Sequence, residues 1–109
     1  MNESSNSAVI GARQTRATVV TTTKQVEPTE TFLETDSTGG AFTVTMPHSL
    51  ECPAGQTYLI RHIVDGGDVT IAFKSTDRGP SGLVMTAVNG YVSLVAGHGQ
   101  WTVSDSKLS

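Results

Sequence analysis

The chain lacks most of the features that stabilise very small proteins or anchor proteins in membranes. It contains a single cysteine, Cys52, so an internal disulfide is excluded. Aromatic residues make up 6% and charged residues 16% of its 109 residues, and no apolar run is long enough to cross a bilayer. The net charge of −3, without a basic patch, argues against nucleic acid or membrane as a partner. Stability must therefore come from one modest core or from neighbouring chains.

The residues that are abundant favour strands joined by turns. Thr and Val are frequent, and the chain has 11 glycines. Ala41 to Met46 alternates, with Phe42, Val44 and Met46 on one face. No window of helical length shows a 3.6-residue stripe. The sequence predicts an all-β fold, a small antiparallel β-sandwich or compact barrel.

The chain divides into three segments. Residues 1–17 are polar, with Val9 and Ile10 as an apolar pair, and predict a flexible N-terminal arm. Residues 18–105 form the predicted β-domain, and residues 106–109 a C-terminal tail. Bases predominate at the start of the chain, where Arg13 and Arg16 lie, and acids predominate after it. This asymmetry favours an arm that docks on an acidic surface, although solvated bases would give the same pattern. The first residues lack the basic and apolar parts of a signal peptide.

Asn89-Gly90 lies between two alternating runs and predicts a β-hairpin with a type I′ turn. The turn would set Val88 opposite Tyr91. Both faces of this hairpin are mostly apolar, so a second layer must cover it, either from the same chain or from another subunit. We expect a subunit interface on the face that carries Val84, Thr86, Val88, Tyr91 and Val95.

The residue types that could carry chemistry have simpler explanations. His48 and Cys52 could form a nucleophilic pair, but a lone cysteine is usually an apolar filler. His62 with Asp65 and Asp68 could bind a metal, but aspartate is also favoured in Gly-Gly turns. We expect no catalytic residue, metal or cofactor.

The aromatic residues allow two interpretations. Tyr58, Tyr91 and Trp101 could form a platform on which a sugar stacks. With so few aromatic residues in the chain, positions in the core are the favoured interpretation.

Five segments together resemble a known family. They are Thr38–Pro47, Pro53–Ile60, Asp68–Ile71, Val92–Val95 and Gln100–Val103. Their order is similar to a small β-domain of tailed-bacteriophage virion proteins, which include head fibres, capsid decoration proteins and segments of tail fibres. Arg78–Gly82 departs from the Gly- and Asp-rich turn common there. The resemblance implies a short Thr-rich β-fold that usually trimerises and carries no chemistry.

The main expectation is a homotrimeric capsid decoration (cement) protein, which is not an enzyme. It would be made in the host cytoplasm and bind the major capsid protein on the outer surface of the virion. Val9, Ile10, Arg13 and Arg16 are the predicted capsid contacts. Two alternatives remain: a tail-fibre or head-fibre module that binds a receptor or glycan, and a small β-fold enzyme.

Overall fold

The computed structural model describes residues 17–109, and nearly all of its regular structure is strand, with a 3₁₀ turn at Ser49–Glu51. This confirms the all-β fold class. The strands in chain order are β1 Thr18–Val20, β2 Lys24–Gln25, β3 Phe32–Asp36, β4 Phe42–Thr45, β5 Thr57–Val64, β6 Val69–Ala72, β7 Val84–Met85, β8 Tyr91–Ala96 and β9 Trp101–Lys107.

The strands form two sheets that pack face to face. Sheet A has the order β1-β3-β5-β8-β9, and sheet B has the order β2-β4-β6-β7. The first six strands alternate between the sheets, so the chain makes successive circuits around the sandwich. Strands that return to the same sheet after one circuit run in the same direction, so β1, β3 and β5 are parallel, as are β2, β4 and β6.

The purely antiparallel pairing predicted from the sequence is therefore wrong for the first six strands. Parallel neighbours need a crossover connection, and here the crossover is the intervening strand of the opposite sheet. Antiparallel pairing is found between β5 and β8, β8 and β9, and β6 and β7. The sheets are mixed.

One apolar core lies between the sheets. Alternate residues of β3, β4, β6 and β8 point into it, which confirms the predicted inward face of β4 and follows from the period of two in a strand. The buried apolar residues are Val20, Val26, Leu33, Phe42, Val44, Met46, Cys52, Tyr58, Ile60, Val69, Ile71, Leu83, Met85, Val92, Leu94, Ala96 and Trp101. On β5 the inward series ends at His62, and Val64 is exposed because the register with β3 shifts between Thr35 and Asp36.

The predicted hairpin is absent, and this is the main correction to the sequence analysis. β7 pairs with β6 in sheet B, whereas β8 pairs with β5 and β9 in sheet A. Asn89-Gly90 therefore lies in a connection between the two sheets. Asn89 has the positive φ of 71° that the sequence suggested, but Gly90 has no positive φ, so the turn is not type I′.

The C-terminal end is more ordered than the predicted tail. β9 continues to Lys107, past residue 105. The main-chain carbonyl of Leu108 accepts a hydrogen bond of 2.8 Å from the N–H of Thr86. The end of the chain is thereby tied to the segment that follows β7.

Candidate functional site

The predicted capsid-contact residues, Val9, Ile10, Arg13 and Arg16, lie outside the described residues. The described chain begins at Ala17 and leads directly into β1, which is an edge strand of sheet A. Any segment that precedes residue 17 therefore joins the sandwich at its rim.

The residues predicted for a trimer interface are divided between the two sheets. Val84 is half-buried on β7 of sheet B, and the segment after it carries Thr86 and Val88, which are exposed. Tyr91 and Val95 are half-buried on the outer face of sheet A. The five residues do not share one β-ribbon, so the pairing on which their selection depended is wrong.

The second layer over the predicted hairpin comes from the same chain. Met85 is buried from sheet B, while Val92, Leu94 and Ala96 are buried from sheet A against the same core. The sequence allowed this second layer to come either from the same chain or from another subunit. The structure shows that it comes from the same chain. Burial of these apolar residues therefore does not itself require a second subunit.

His48 and Cys52 are close but do not form a nucleophilic pair through the imidazole. The Cys52 thiol lies 3.6 Å from the main-chain oxygen of His48, and the imidazole Nδ1 is 2.8 Å from Thr76 Oγ1. Burial raises the pKa of the Cys52 thiol. The thiolate, which is the nucleophilic form, is disfavoured at this position.

Tyr58 and Trp101 belong to the core, as the sequence analysis favoured. Both are buried, and their rings meet edge to face with centroids 5.3 Å apart. The Trp101 N–H donates to the main-chain oxygen of Pro47 at 3.2 Å. Only Tyr91 of the three residues proposed for a sugar platform lies on the outer surface.

His62 is fully buried, and both ring nitrogens have polar partners. Nδ1 lies 2.8 Å from Thr35 Oγ1, and Nε2 lies 3.0 Å from Asp65 Oδ1. The Thr35 hydroxyl also donates to the main-chain oxygen of Arg61 at 3.3 Å, so the imidazole lies within a network of hydrogen bonds that involves both of its nitrogens. In residues 17–109 no group of three or more His, Cys, Asp or Glu side chains converges, so Asp68 does not complete the metal site considered with His62 and Asp65.

Ser37 lies beside His62 and joins the segment after β3 to the turn that follows β5. Its hydroxyl oxygen lies 3.3 Å from His62 Nε2 and accepts the N–H groups of Gly66 at 2.9 Å and Gly67 at 3.1 Å. The same hydroxyl donates to the main-chain oxygen of Gly67 at 2.7 Å. These bonds use the donor and both acceptor positions of the hydroxyl, so the cluster holds two turns together.

The outer face of sheet A carries a second polar arrangement, which we call the sheet A groove. It is an open groove of about 420 Å³ lined by Leu59, Arg61, Asn89, Tyr91 and Lys107. The strand register aligns three of these residues across the sheet, because Arg61 is opposite Tyr91 and Tyr91 is opposite Lys107. Leu59 lies on the same face of β5, two residues before Arg61.

Hydrogen bonds fix the polar side chains around the groove. Arg61 Nη2 donates to Asn89 Oδ1 at 3.3 Å, and the Tyr91 hydroxyl donates to Asp105 Oδ2 at 3.0 Å. The hydrogen bond to the Asp105 carboxylate, and then its negative charge, raise the pKa of Tyr91. Tyr91 therefore stays protonated and remains a donor at neutral pH.

Arg61 and Lys107 were not among the residues predicted from the sequence, and Asn89 was predicted only as a turn residue. The alternation of β5 places Arg61 on the outer face between Leu59 and Ile63. This position could have been predicted from the sequence. The neighbours of Arg61 across the sheet depend on the register of β5, β8 and β9, and the predicted hairpin obscured that register.

Comparison of the chain with family models, with curated proteins and with solved structures gives no match in any of the three. Residues 17–109 contain no helix of the length and hydropathy that crossing a membrane requires.

Proposed function

We propose that this protein is a capsid decoration protein of a tailed bacteriophage, a non-enzymatic trimer that binds the major capsid protein on the outer shell and stabilises it. The resemblance of the five sequence segments to virion β-domains is the starting point. The proposal assigns attachment to the N-terminal arm, through Val9, Ile10, Arg13 and Arg16, and assigns the body to the sandwich.

The observation that carries the proposal is the point at which the chain enters the sandwich. Within residues 17–109, the buried apolar residues lie between Val20 and Trp101 and pack between the two sheets. The arm leads into β1 at the rim of sheet A. A basic segment of this kind, attached to the edge of a closed body, is suited to lie across a neighbouring surface and pair with its carboxylates.

The trimer contact in this proposal lies at β7 and the segment that follows it. Val84 lies on β7, Thr86 and Val88 follow it in the exposed connection to β8, and Val88 is 50% exposed. Tyr91 and Val95 lie on the outer face of the other sheet and are left out of this contact. Closed association of identical chains also protects short edge strands such as β7 from unwanted pairing.

A head-fibre or tail-fibre module that binds a receptor or glycan is the second candidate. The observation that favours it is the sheet A groove, where Tyr91 lies between Arg61 and Lys107. The burial of Trp101 counts against the larger aromatic platform.

Capsid binding is tested with particles of the parent phage from which this protein has been removed. The full chain, a variant lacking residues 1–17, and the double variant Arg13→Gln/Arg16→Gln are each mixed with particles and sedimented. We expect the full chain to bind, the truncation to remain folded but unbound, and the double variant to bind more weakly. Arg78→Gln is the matched control and should bind like the full chain. Binding of the truncation at full strength would contradict the attachment role of the arm.

A further inference from the structure

The polar atoms that line the sheet A groove are donors. Asn89 Oδ1 already accepts from Arg61, and Asp105 accepts from the Tyr91 hydroxyl through Oδ2 and from the N–H of Ser106 through Oδ1 at 2.9 Å. In residues 17–109 no protein acceptor is bonded to Asn89 Nδ2 or Lys107 Nζ, or to the other N–H groups of the Arg61 side chain. A ligand in the groove must therefore supply the acceptors.

Both cations of the groove keep their charge available to such a ligand. The described ion pairs are Lys24–Glu30 and His62–Asp65, and neither includes Arg61 or Lys107. Glu34 is opposite Arg61 in the register of β3 and β5 but forms no ion pair with it. Hydrogen bonds between a guanidinium or ammonium group and a carboxylate are about twice as strong as neutral ones.

The backbone beneath the groove has no unpaired edge to which a peptide strand could be added. A peptide that binds by adding a strand needs the unpaired edge of a sheet. The floor of the groove is formed by β5 and β8, and both strands have neighbours on each side. Recognition must therefore come from the side chains, which are a half-buried tyrosine ring, a half-buried leucine and several fixed donors.

Asn89 is held in an uncommon conformation at the rim of the groove. Among residues 17–109 it is the non-glycine residue with positive φ, at 71°. Its main-chain N–H donates to His62 O at 2.8 Å, and Gly90 O accepts from the N–H of His62 at 2.8 Å. The buried His62 segment thereby fixes the backbone of the rim residue that orients Arg61, so this guanidinium is positioned before any ligand arrives.

We propose that the sheet A groove is a binding site for a saccharide that bears a carboxylate. The carboxylate pairs with Arg61 and Lys107, the sugar ring packs on Tyr91 and Leu59, and Asn89 Nδ2 donates to a ring or hydroxyl oxygen. The volume of about 420 Å³ lies within the range of roughly 300–1,000 Å³ typical of small-molecule sites. This activity goes beyond attachment to a capsid and depends on residues other than those assigned to the arm.

The test is titration of the isolated full chain with a galacturonate oligosaccharide, followed by calorimetry and by the NMR signals of the Asn89 amide and the Arg61 side chain. The methyl-esterified oligosaccharide, sodium acetate and inorganic phosphate are the comparison ligands. We expect binding of the acidic saccharide, with affinity that falls as salt rises, and binding at least about tenfold weaker for each comparison ligand. Equal binding of the esterified form would overturn the role of the carboxylate. Equal binding of acetate or phosphate would overturn recognition of a sugar.

Variants then locate the site. Arg61→Gln and Lys107→Gln should each weaken binding about tenfold, because each removes one charge from an exposed side chain without opening the core. Arg78→Gln is the matched control and should bind normally. Glu34→Gln should strengthen binding, because it removes a negative charge beside Arg61. Unchanged binding in Arg61→Gln, or unchanged or weaker binding in Glu34→Gln, would overturn the proposal. Saccharide binding is measured without capsids, so it can fail or succeed independently of the decoration function.

Discussion

The hydroxyl of Tyr58 donates a hydrogen bond to the main-chain carbonyl of Pro28 and so ties the start of β5 to the loop between β2 and β3. The ring is fully buried between the sheets. Burial, with a smaller effect of the neighbouring Cys52, raises the pKa of Tyr58 far above its ordinary value of 10.0. Ionisation of this phenol would place an uncompensated charge in the core.

The raised pKa of Tyr58 predicts loss of stability in alkali. A group whose pKa is raised on folding contributes its full stability below the unfolded pKa and loses it as the pH rises through the folded value. The free energy of unfolding should therefore decline above about pH 10. Urea unfolding at about pH 8 and pH 11 should show a smaller decline for Tyr58→Phe than for the wild type. Tyr91→Phe is the control and should retain most of the wild-type decline, and equal declines in wild type and Tyr58→Phe would contradict the prediction.

A second prediction concerns acid. The hydroxyl and N–H groups of Thr38 donate to Asp36 Oδ1 at 2.6 Å and 2.9 Å, and they lower the pKa of Asp36 below its ordinary value of 3.8. A lowered pKa contributes stability above the unfolded value, and this stability is lost as the pH falls through the folded value. Asp36→Asn keeps an acceptor but cannot titrate, so its unfolding free energy should fall less between about pH 6 and pH 3. An identical slope in the wild type and in Asp36→Asn would refute the assignment.

The Ser37 hydroxyl predicts a large loss of stability on removal. Ser37→Ala leaves the N–H groups of Gly66 and Gly67 without their acceptor in a partly buried turn. The expected cost is roughly 2–4 kcal/mol, measured by chemical denaturation. Ser75→Ala, at an exposed serine, should change the stability by less than about 0.5 kcal/mol. A loss of similar size in both variants would contradict the specific role of Ser37.

The turn that Ser37 holds is also sterically closed. A Cβ added at Gly67 would lie 2.4 Å from the main-chain nitrogen of Ala41, whereas one at Gly39 would meet nothing within 4 Å. Gly67→Ala should therefore lower the free energy of unfolding by about 1–3 kcal/mol. Gly39→Ala should be neutral or slightly stabilising, because it restricts the unfolded chain without a clash. Equal thermal midpoints for the two variants would contradict the predicted clash between a Cβ at residue 67 and the main chain of Ala41.

The proposed trimer is tested with two exposed valines. Val88, in the proposed contact, is 50% exposed, and Val19, on β1, is 58% exposed. Sedimentation at about micromolar concentration should give three times the mass of one chain for the wild type and for Val19→Asp. Val88→Asp should dissociate to folded monomers, because a charge without a partner is costly in an apolar contact. A wild-type protein that sediments as one chain would refute the trimer.

The sequence predicted which residues point inward more reliably than which strands pair. Alternation along β4 and β6 is a local signal, and burial of Val44 and Val69 agrees with it. Pairing depends on partners far along the chain. Asn89-Gly90 permits a hairpin, but β8 gains a longer partner in β5, and the two strands beside the turn enter different sheets. The residues of the turn alone do not show whether β8 pairs with β7 or with β5.

The two polar arrangements differ in how far the sequence could predict them. His62 and Asp65 are three residues apart, so their contact was within reach of sequence analysis. Thr35 joins them through the parallel register of β3 and β5, which no local pattern specifies. The sheet A groove likewise needs the register of β5, β8 and β9. Residues from distant segments meet there without any shared motif.

The alternation of the first six strands between two sheets has a consequence for the emergence of the protein from the ribosome. The sheet neighbour of each strand is synthesised only after the intervening strand of the other sheet. β3 therefore follows β1, and β5 follows β3, after one circuit of the sandwich. Local contacts can offset little of the entropy of closing these loops, so slow folding is expected, on the order of milliseconds to seconds. Sheet A gains its final strand only with Trp101–Lys107, so nascent chains that lack this segment expose one side of β8. Synthesis that stalls before β9 is complete should therefore yield aggregation-prone fragments rather than a smaller stable body.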